Sequence, residues 1–181
     1  MVSSNYESKH YLLHKLLEWI YEQREFHLPN SRLLLDEERQ QLAGYFDQSI
    51  LDSTRVAIVA RIPNPEFYNE LTKLNISIPL DFAQVIGLTL IDCVLIRKEL
   101  YSSPSSWITT LFHEIVHVVQ FDILSPMRGI ELLTDYLLQG KCQYLDFPIE
   151  QQAYTLTERF ARGEPPFSVR EIVEPELRQM I

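Results

Sequence analysis

The stretch Leu111–Phe121, Leu-Phe-His-Glu-Ile-Val-His-Val-Val-Gln-Phe, constrains this chain more than any other. Ile115, Val116, Val118 and Val119 make most of it apolar, so a helix here is buried. It nevertheless carries His113, Glu114 and His117. On a helix, positions four apart lie nearly one above the other, so the two imidazoles can point at one metal ion. Glu114 sits about 100° round from His113. That suits a base acting on water held by the ion better than a further ligand. The plainer alternative is a core helix with satisfied histidines and a Glu on its edge. Buried His and Glu are uncommon unless paired or metal-bound, which favours the metal. Gln120 continues the face formed by 113, 117, 120 and 124. It reads as packing or support for the ligands, because zinc takes an amide oxygen poorly.

With 181 residues and 46% hydrophobic content, the chain is expected to form a single domain over 1–181 with a real core. The net charge of −9 argues against nucleic acid or an anionic membrane as partner. Two cysteines, Cys93 and Cys142, are too few for a disulfide framework, and both are expected reduced. The first ten residues lack the apolar run of a secretory signal, and no run of about 18 apolar residues occurs. The simplest expected location is cytoplasmic, with signal-free export as the alternative. Oligomeric state is not legible.

Along the chain, residues 5–26 read as an amphipathic helix ended by Pro29. His10, His14 and Glu18 on it have metal-ligand spacing, but a solvated face is the plainer reading. A second helix opens at Asp36 as N-cap and runs to about Phe46. Residues 54–62 read as a β-branched strand, and Asn64-Pro65 opens a short helix through Leu74. Residues 83–97 read as two strands turning near Asp92, or one bent strand with a bulge at Gly87. Ser103 and Pro104 are N-cap and first residue of the motif helix, which Ser125-Pro126 breaks. The free edge of the strand just before that helix is expected to pair with an extended peptide. A helix over 127–139 closes at Gly140, another runs from Pro148 to Gly163, and residues 168–181 read as helix interrupted at Pro175.

A catalytic zinc takes three protein ligands and keeps one open position. No His follows His117, so the third ligand must be a carboxylate. The candidates are Asp122, Glu131, Asp135, Asp146, Glu150 and Glu158. Glu150 fits best. It stands in the first turn of a helix, and the small Ala153 on the same face lets that helix approach closely. Asp135 is the runner-up. The plainer reading of Glu150 is a first-turn acid stabilised by the helix dipole.

His113-Glu114-x-x-His117 is the zincin motif, whose Glu acts as general base. With Glu150 on a later helix, the pattern resembles the gluzincins. More narrowly, His-Glu-Ile-Val-His-Val-Val-Gln followed by Pro-Ile-Glu-Gln-Gln-Ala-Tyr resembles minigluzincins and related metallopeptidase-like domains of bacterial injection-system and toxin-associated proteins. The resemblance covers residues 83–162, flanked by an N-terminal region (1–80) and a tail (164–181). It implies an α+β, zincin-like fold: N-terminal helices, a small twisted sheet, the motif helix and a Glu-bearing helix. It implies one zinc ion on His113, His117 and Glu150, with Glu114 as base. One departure stands out. Thermolysin-like members carry an Asp where this chain has Tyr154, a residue that orients a ligand histidine. Asp135 or Gln120 is the candidate for that role here. Tyr144 and Tyr154 are candidate phenol donors to a developing oxyanion, or plain packed aromatics. The resulting expectation is a zinc-dependent peptidase, latent or narrow in specificity, acting on a peptide or protein. The competing readings are a zinc-binding effector domain without turnover and a helical interaction module without metal.

Overall fold

Four short strands form one mixed sheet in a computed structural model that describes residues 2–73, 80–139 and 146–180. They are β1 (Arg32–Leu33), β2 (Arg55–Val59), β3 (Gly87–Leu90) and β4 (Cys93–Arg97), in the order β1-β2-β4-β3. The run over 83–97 thus folds back as two strands, Leu90 opposite Cys93, around Ile91 and Asp92. Ile91 takes a positive φ of 68°. β2 joins β4 in parallel, Val56 beside Val94 and Ile58 beside Ile96. The strand just before the motif helix, β4, is therefore paired on both sides, contrary to the sequence expectation of a free edge. Among the described residues, the edges of the sheet are β3 and the two-residue β1, so the edge of the hairpin belongs to β3.

Among the described residues, eight helices surround the sheet: α1 (Val2–His27), α2 (Asp36–Leu42), α3 (Gln48–Ser53), α4 (Tyr68–Lys73), α5 (Pro104–Leu124), α6 (Pro126–Leu138), α7 (Pro148–Ala161) and α8 (Val169–Gln179). Side chains alternate along a strand, and the two layers of the core follow that alternation. Val56, Val94 and Ile96 pack with α5, α7 and α8. Ala57, Val59, Cys93 and Leu95 pack with Leu12, Leu16 and Trp19 of α1. The architecture is α+β, with β2 of the first 80 residues built into the same sheet as β3 and β4. No described helix is long and apolar enough to cross a membrane. Cys93 is a free, buried thiol pushed up to about 11 by burial and the neighbouring Asp92; Cys142 lies outside the described residues.

Local details correct several sequence expectations. The N-cap of α2 is Leu35, whose N–H donates to Glu38 Oε2 at 2.8 Å; Asp36 is the first helical residue. Glu38 is buried and takes a bidentate pair from Arg32 at 2.7 and 2.8 Å, plus the Trp107 indole at 2.9 Å. The helix after Pro65 begins only at Tyr68, because the Asn64 side chain turns away to donate to Asp81 at 2.7 Å. α8 runs through Pro175 without a break. The carbonyl that loses its partner is that of Glu171, a residue exposed to solvent, while Val169, Val173 and Leu177 hold the buried face. α6 ends at Leu138, and Gly140 lies outside the described residues. Ser125 alone joins α5 to α6, at φ 67° and ψ 154°, a region that strains any residue with a Cβ.

Candidate metal centre

α5 brings the motif to the middle of the molecule. Pro104 opens it at N1, and Leu111, Phe112, Ile115 and Val116 are fully buried around it. α7 is held against it by aromatic packing. Phe112 and Phe160 stack with centroids 4.3 Å apart at 12°. Tyr45 meets both rings edge-on and also contacts Phe167, which fixes the separation of the helices. Ala153, fully buried on α7, leaves room for the close approach.

That packing brings His113, His117 and Glu150 together. The two Nε2 atoms lie 3.2 Å apart. Glu150 Oε2 is 3.5 Å from His113 Nε2, and its Oε1 is 3.3 Å from His117 Nε2. Two ligands about 2.0–2.1 Å from a tetrahedral ion stand roughly 3.3–3.4 Å apart. The three contacts run close to that spacing, the two histidines meeting different oxygens of the Glu150 carboxylate, so the group could hold one ion. It is the group of His, Cys, Asp and Glu found among the described residues that could hold a metal.

Hydrogen bonds assign the imidazole tautomers. The Gln120 amide donates to the Ile149 carbonyl at 3.0 Å and to Gln152 Oε1 at 3.1 Å. Its own Oε1 therefore accepts from His117 Nδ1–H at 2.7 Å. The Thr157 hydroxyl donates to the Ala153 carbonyl at 2.7 Å and so accepts from His113 Nδ1–H at 3.3 Å. Both rings thus turn Nε2 toward the shared point, and a neutral ring with its proton on Nδ1 offers the Nε2 lone pair there, as metal-binding imidazoles require. Of the two residues weighed for orienting a histidine, Gln120 does so. Asp135 instead pairs with Lys9 at 2.7 Å.

The remaining acids point elsewhere. Asp122 pairs with Arg170, Glu131 with Arg128 and Lys9, and Glu158 with Arg162; Asp146 is exposed. His10 and His14 are exposed on α1, and Glu18 pairs with Lys15 at 2.9 Å. Tyr154 lies against the site, its ring 4.6 Å from that of His113, with 43% of its surface exposed. Tyr144 falls outside the described residues.

The electrostatics are those of a buried, interacting group. Burial works to raise the Glu150 carboxyl, but the two imidazoles outweigh it and hold it well below the usual carboxylate range. Burial works to lower His117, but the Glu150 carboxylate outweighs it and pushes it up to about 9. Glu114 is raised, chiefly by burial.

Two residues that the motif does not announce shape the surroundings of Glu114. The Thr89 hydroxyl, on β3, lies 2.8 Å from both the Glu114 carbonyl and its Oε2. Gly87, on the same strand, leaves the space that the carboxylate fills; a Cβ there would come within 2.9 Å of Glu114 Cδ and overlap Oε1. The only sequence signal for Thr89 is a lone hydroxyl in the apolar run Ile-Gly-Leu-Thr-Leu-Ile. Thr157 was signalled more clearly, by falling on the helix face of Glu150 and Ala153. The His and Glu side chains open into a cavity of about 480 Å³.

Compared with family models, curated proteins and solved structures, the chain has no match. The resemblance to gluzincins rests on the motif residues alone, and what the site can do is read from its own geometry.

Proposed function

We propose that the chain is a zinc-dependent peptidase of gluzincin type, with a zincin-like core. The observation that carries this reading is the placement of Glu114. It is a buried carboxylate with no Lys or Arg partner among the described residues, opening into the same cavity as three ligand atoms spaced for one ion.

His113, His117 and Glu150 would hold the zinc. When bound, the ion supplies Lewis-acid polarisation of a carbonyl and lowers the pKa of water. The protein's own residues do the rest. Glu114 takes a proton from the attacking water and delivers it to the departing amine. Burial raises its pKa toward the operating pH, where a general base is most effective, and Thr89 steadies the carboxylate. Gln120 and Thr157 keep both imidazoles in the tautomer that leaves Nε2 free. Tyr154, whose ring packs against His113 at the cavity wall, is the phenol that would donate to a substrate oxygen as negative charge develops. The unpaired edge of β3, whose residues 87–89 line the cavity, offers backbone groups to an extended peptide.

The test is Glu114→Gln. Metal content, measured on protein purified without added zinc, stays at one ion per chain. Cleavage of a mixed peptide library, present in the parent and abolished by chelator, falls by at least about a hundredfold. A variant that cleaves as fast as the parent overturns the assignment of the base. A metal-loaded parent that cleaves nothing overturns the peptidase.

A further inference from the structure

We propose that the cavity beside the metal ligands seats one long unbranched apolar chain, so that the favoured substrate is a fatty-acyl amide. This inference rests on the hydrolase reading and names its substrate class. In the reaction the amide C–N bond breaks, the acyl carbon takes the oxygen of water, and the nitrogen takes the proton. The products are a fatty acid and an amine, with no change of oxidation state.

Three observations lead there. First, the walls away from the ligands are hydrocarbon. Trp19 and Ile20 come from α1, Phe82 from the turn before β3, Phe121 from α5, and Ile130 and Leu133 from α6. Trp19 and Phe82 are packed on each other at 4.8 Å, which makes this end of the wall continuous. Second, among the described residues the charged or ionisable His and acid side chains lining the cavity are His113, Glu114, His117 and Glu150, and the other polar linings are neutral hydroxyls and amides. A charged residue of a peptide entering it would lose its hydration with no partner.

Third, the size decides between a side chain and a longer group. A cavity of about 150 Å³ holds a benzene ring. The cavity here, at about 480 Å³, is some three times that. Part of that space lies beside the ligands and belongs to the ion and the reacting group, and one Phe or Leu side chain does not fill the rest. The next side chain on the same side of an extended peptide is two residues on, and it would bring peptide groups against a hydrocarbon wall that cannot satisfy them. A single flexible hydrocarbon chain brings none.

The experiment uses the full chain as Glu114→Gln, so that the probes are not consumed. Calorimetry measures binding of N-acyl-glycine methylamides with acyl chains from two to sixteen carbons, and of an acetyl-Phe-glycine methylamide. Affinity is expected to rise about fourfold per added methylene until the cavity is full, then level off. Leu133→Phe should bring the plateau to a shorter chain, and Leu133→Ala should move it to a longer one. The Ala variant keeps the test alive if the Phe variant fails to fold. Affinity that does not depend on chain length overturns the proposal, as does a Phe probe that binds as tightly as the best acyl probe. A plateau unmoved by either substitution also overturns it. The parent enzyme separates this inference from the one beneath it. Length-dependent binding without hydrolysis of any probe supports the occupant and sinks the hydrolase. Cleavage of peptides with flat acyl binding sinks the acyl chain alone.

Discussion

Thr89 on the edge strand and Glu114 on the motif helix meet at two points, with one hydroxyl 2.8 Å from both the carbonyl and the carboxylate of the same residue. A hydroxyl has a single proton to give. When Glu114 is protonated, it donates to Thr89 while Thr89 donates to the carbonyl; when it is ionised, the two acceptors compete for one proton. The strand is thereby coupled to the protonation state of the base. Thr89→Val removes the donor that favours the ionised form and leaves the buried groups without it. Stability should fall by about 1–3 kcal/mol. The pKa of Glu114 should rise, and the acidic limb of the pH–rate profile should move to higher pH. Denaturant titration and rate measurements across pH check both, and an unmoved limb would show that Thr89 serves only the backbone.

Gly87→Ala should separate folding from turnover. The added methyl meets the far end of a side chain, not backbone, so the Glu114 carboxylate swings aside while the sheet survives. Metal content and the thermal midpoint should change little, and hydrolysis should drop by about a hundredfold or more. Unchanged hydrolysis would mean that the carboxylate does not need its present position.

Gln120→Leu removes the acceptor that fixes the His117 tautomer. Loss of such an outer partner costs metal affinity by about 10–100-fold. A chelator-competition titration measures it. Equal affinity in the variant would leave Gln120 as packing only.

Metal uptake should be pH-dependent. His117 is pushed up to about 9, so below that pH it carries a proton that the ion must displace. With one proton released per ion, apparent affinity should rise by about tenfold per pH unit between pH 6 and 8. Competition titrations at fixed ionic strength test the slope, and a flat profile would contradict the raised imidazole.

Ser125→Gly should stabilise the protein. The joint between α5 and α6 holds a residue with a Cβ at a φ of 67°, where strain costs about 1–3 kcal/mol. Relief of that strain is partly offset by the greater freedom of Gly in the unfolded chain. A net gain of about 1 kcal/mol is expected from denaturant unfolding. A loss would show that the serine hydroxyl contributes more than its backbone costs.

What could be read from the sequence was local. The motif helix was legible because spacing, Pro104 and the apolar neighbours all act within a few turns. Glu150 was legible because a first-turn acid before a small residue has a fixed direction. The hairpin near Asp92 followed from the apolar run and its turn. The parallel pairing of β2 with β4 was not legible, since nothing local records which distant strand a buried strand will join. For that reason the free edge was placed on the wrong strand of the hairpin. Thr89 goes unmarked in the sequence and Gly87 reads there only as a bulge site, for the same cause, because their meaning comes from the helix that crosses above them. At Pro175, a residue normally read as a stop was overruled by three buried aliphatics on the opposite face.

The alternation of β2 and β4 between the two layers of the core has a consequence for any attempt to shorten or transplant this protein. An excised piece beginning at residue 83 would carry every ligand yet leave β4 with a bare edge and both of its greasy surfaces half uncovered, an invitation to aggregate. The smallest portable unit therefore includes β2 and the helix packed beneath it, far upstream of the residues that bind the ion.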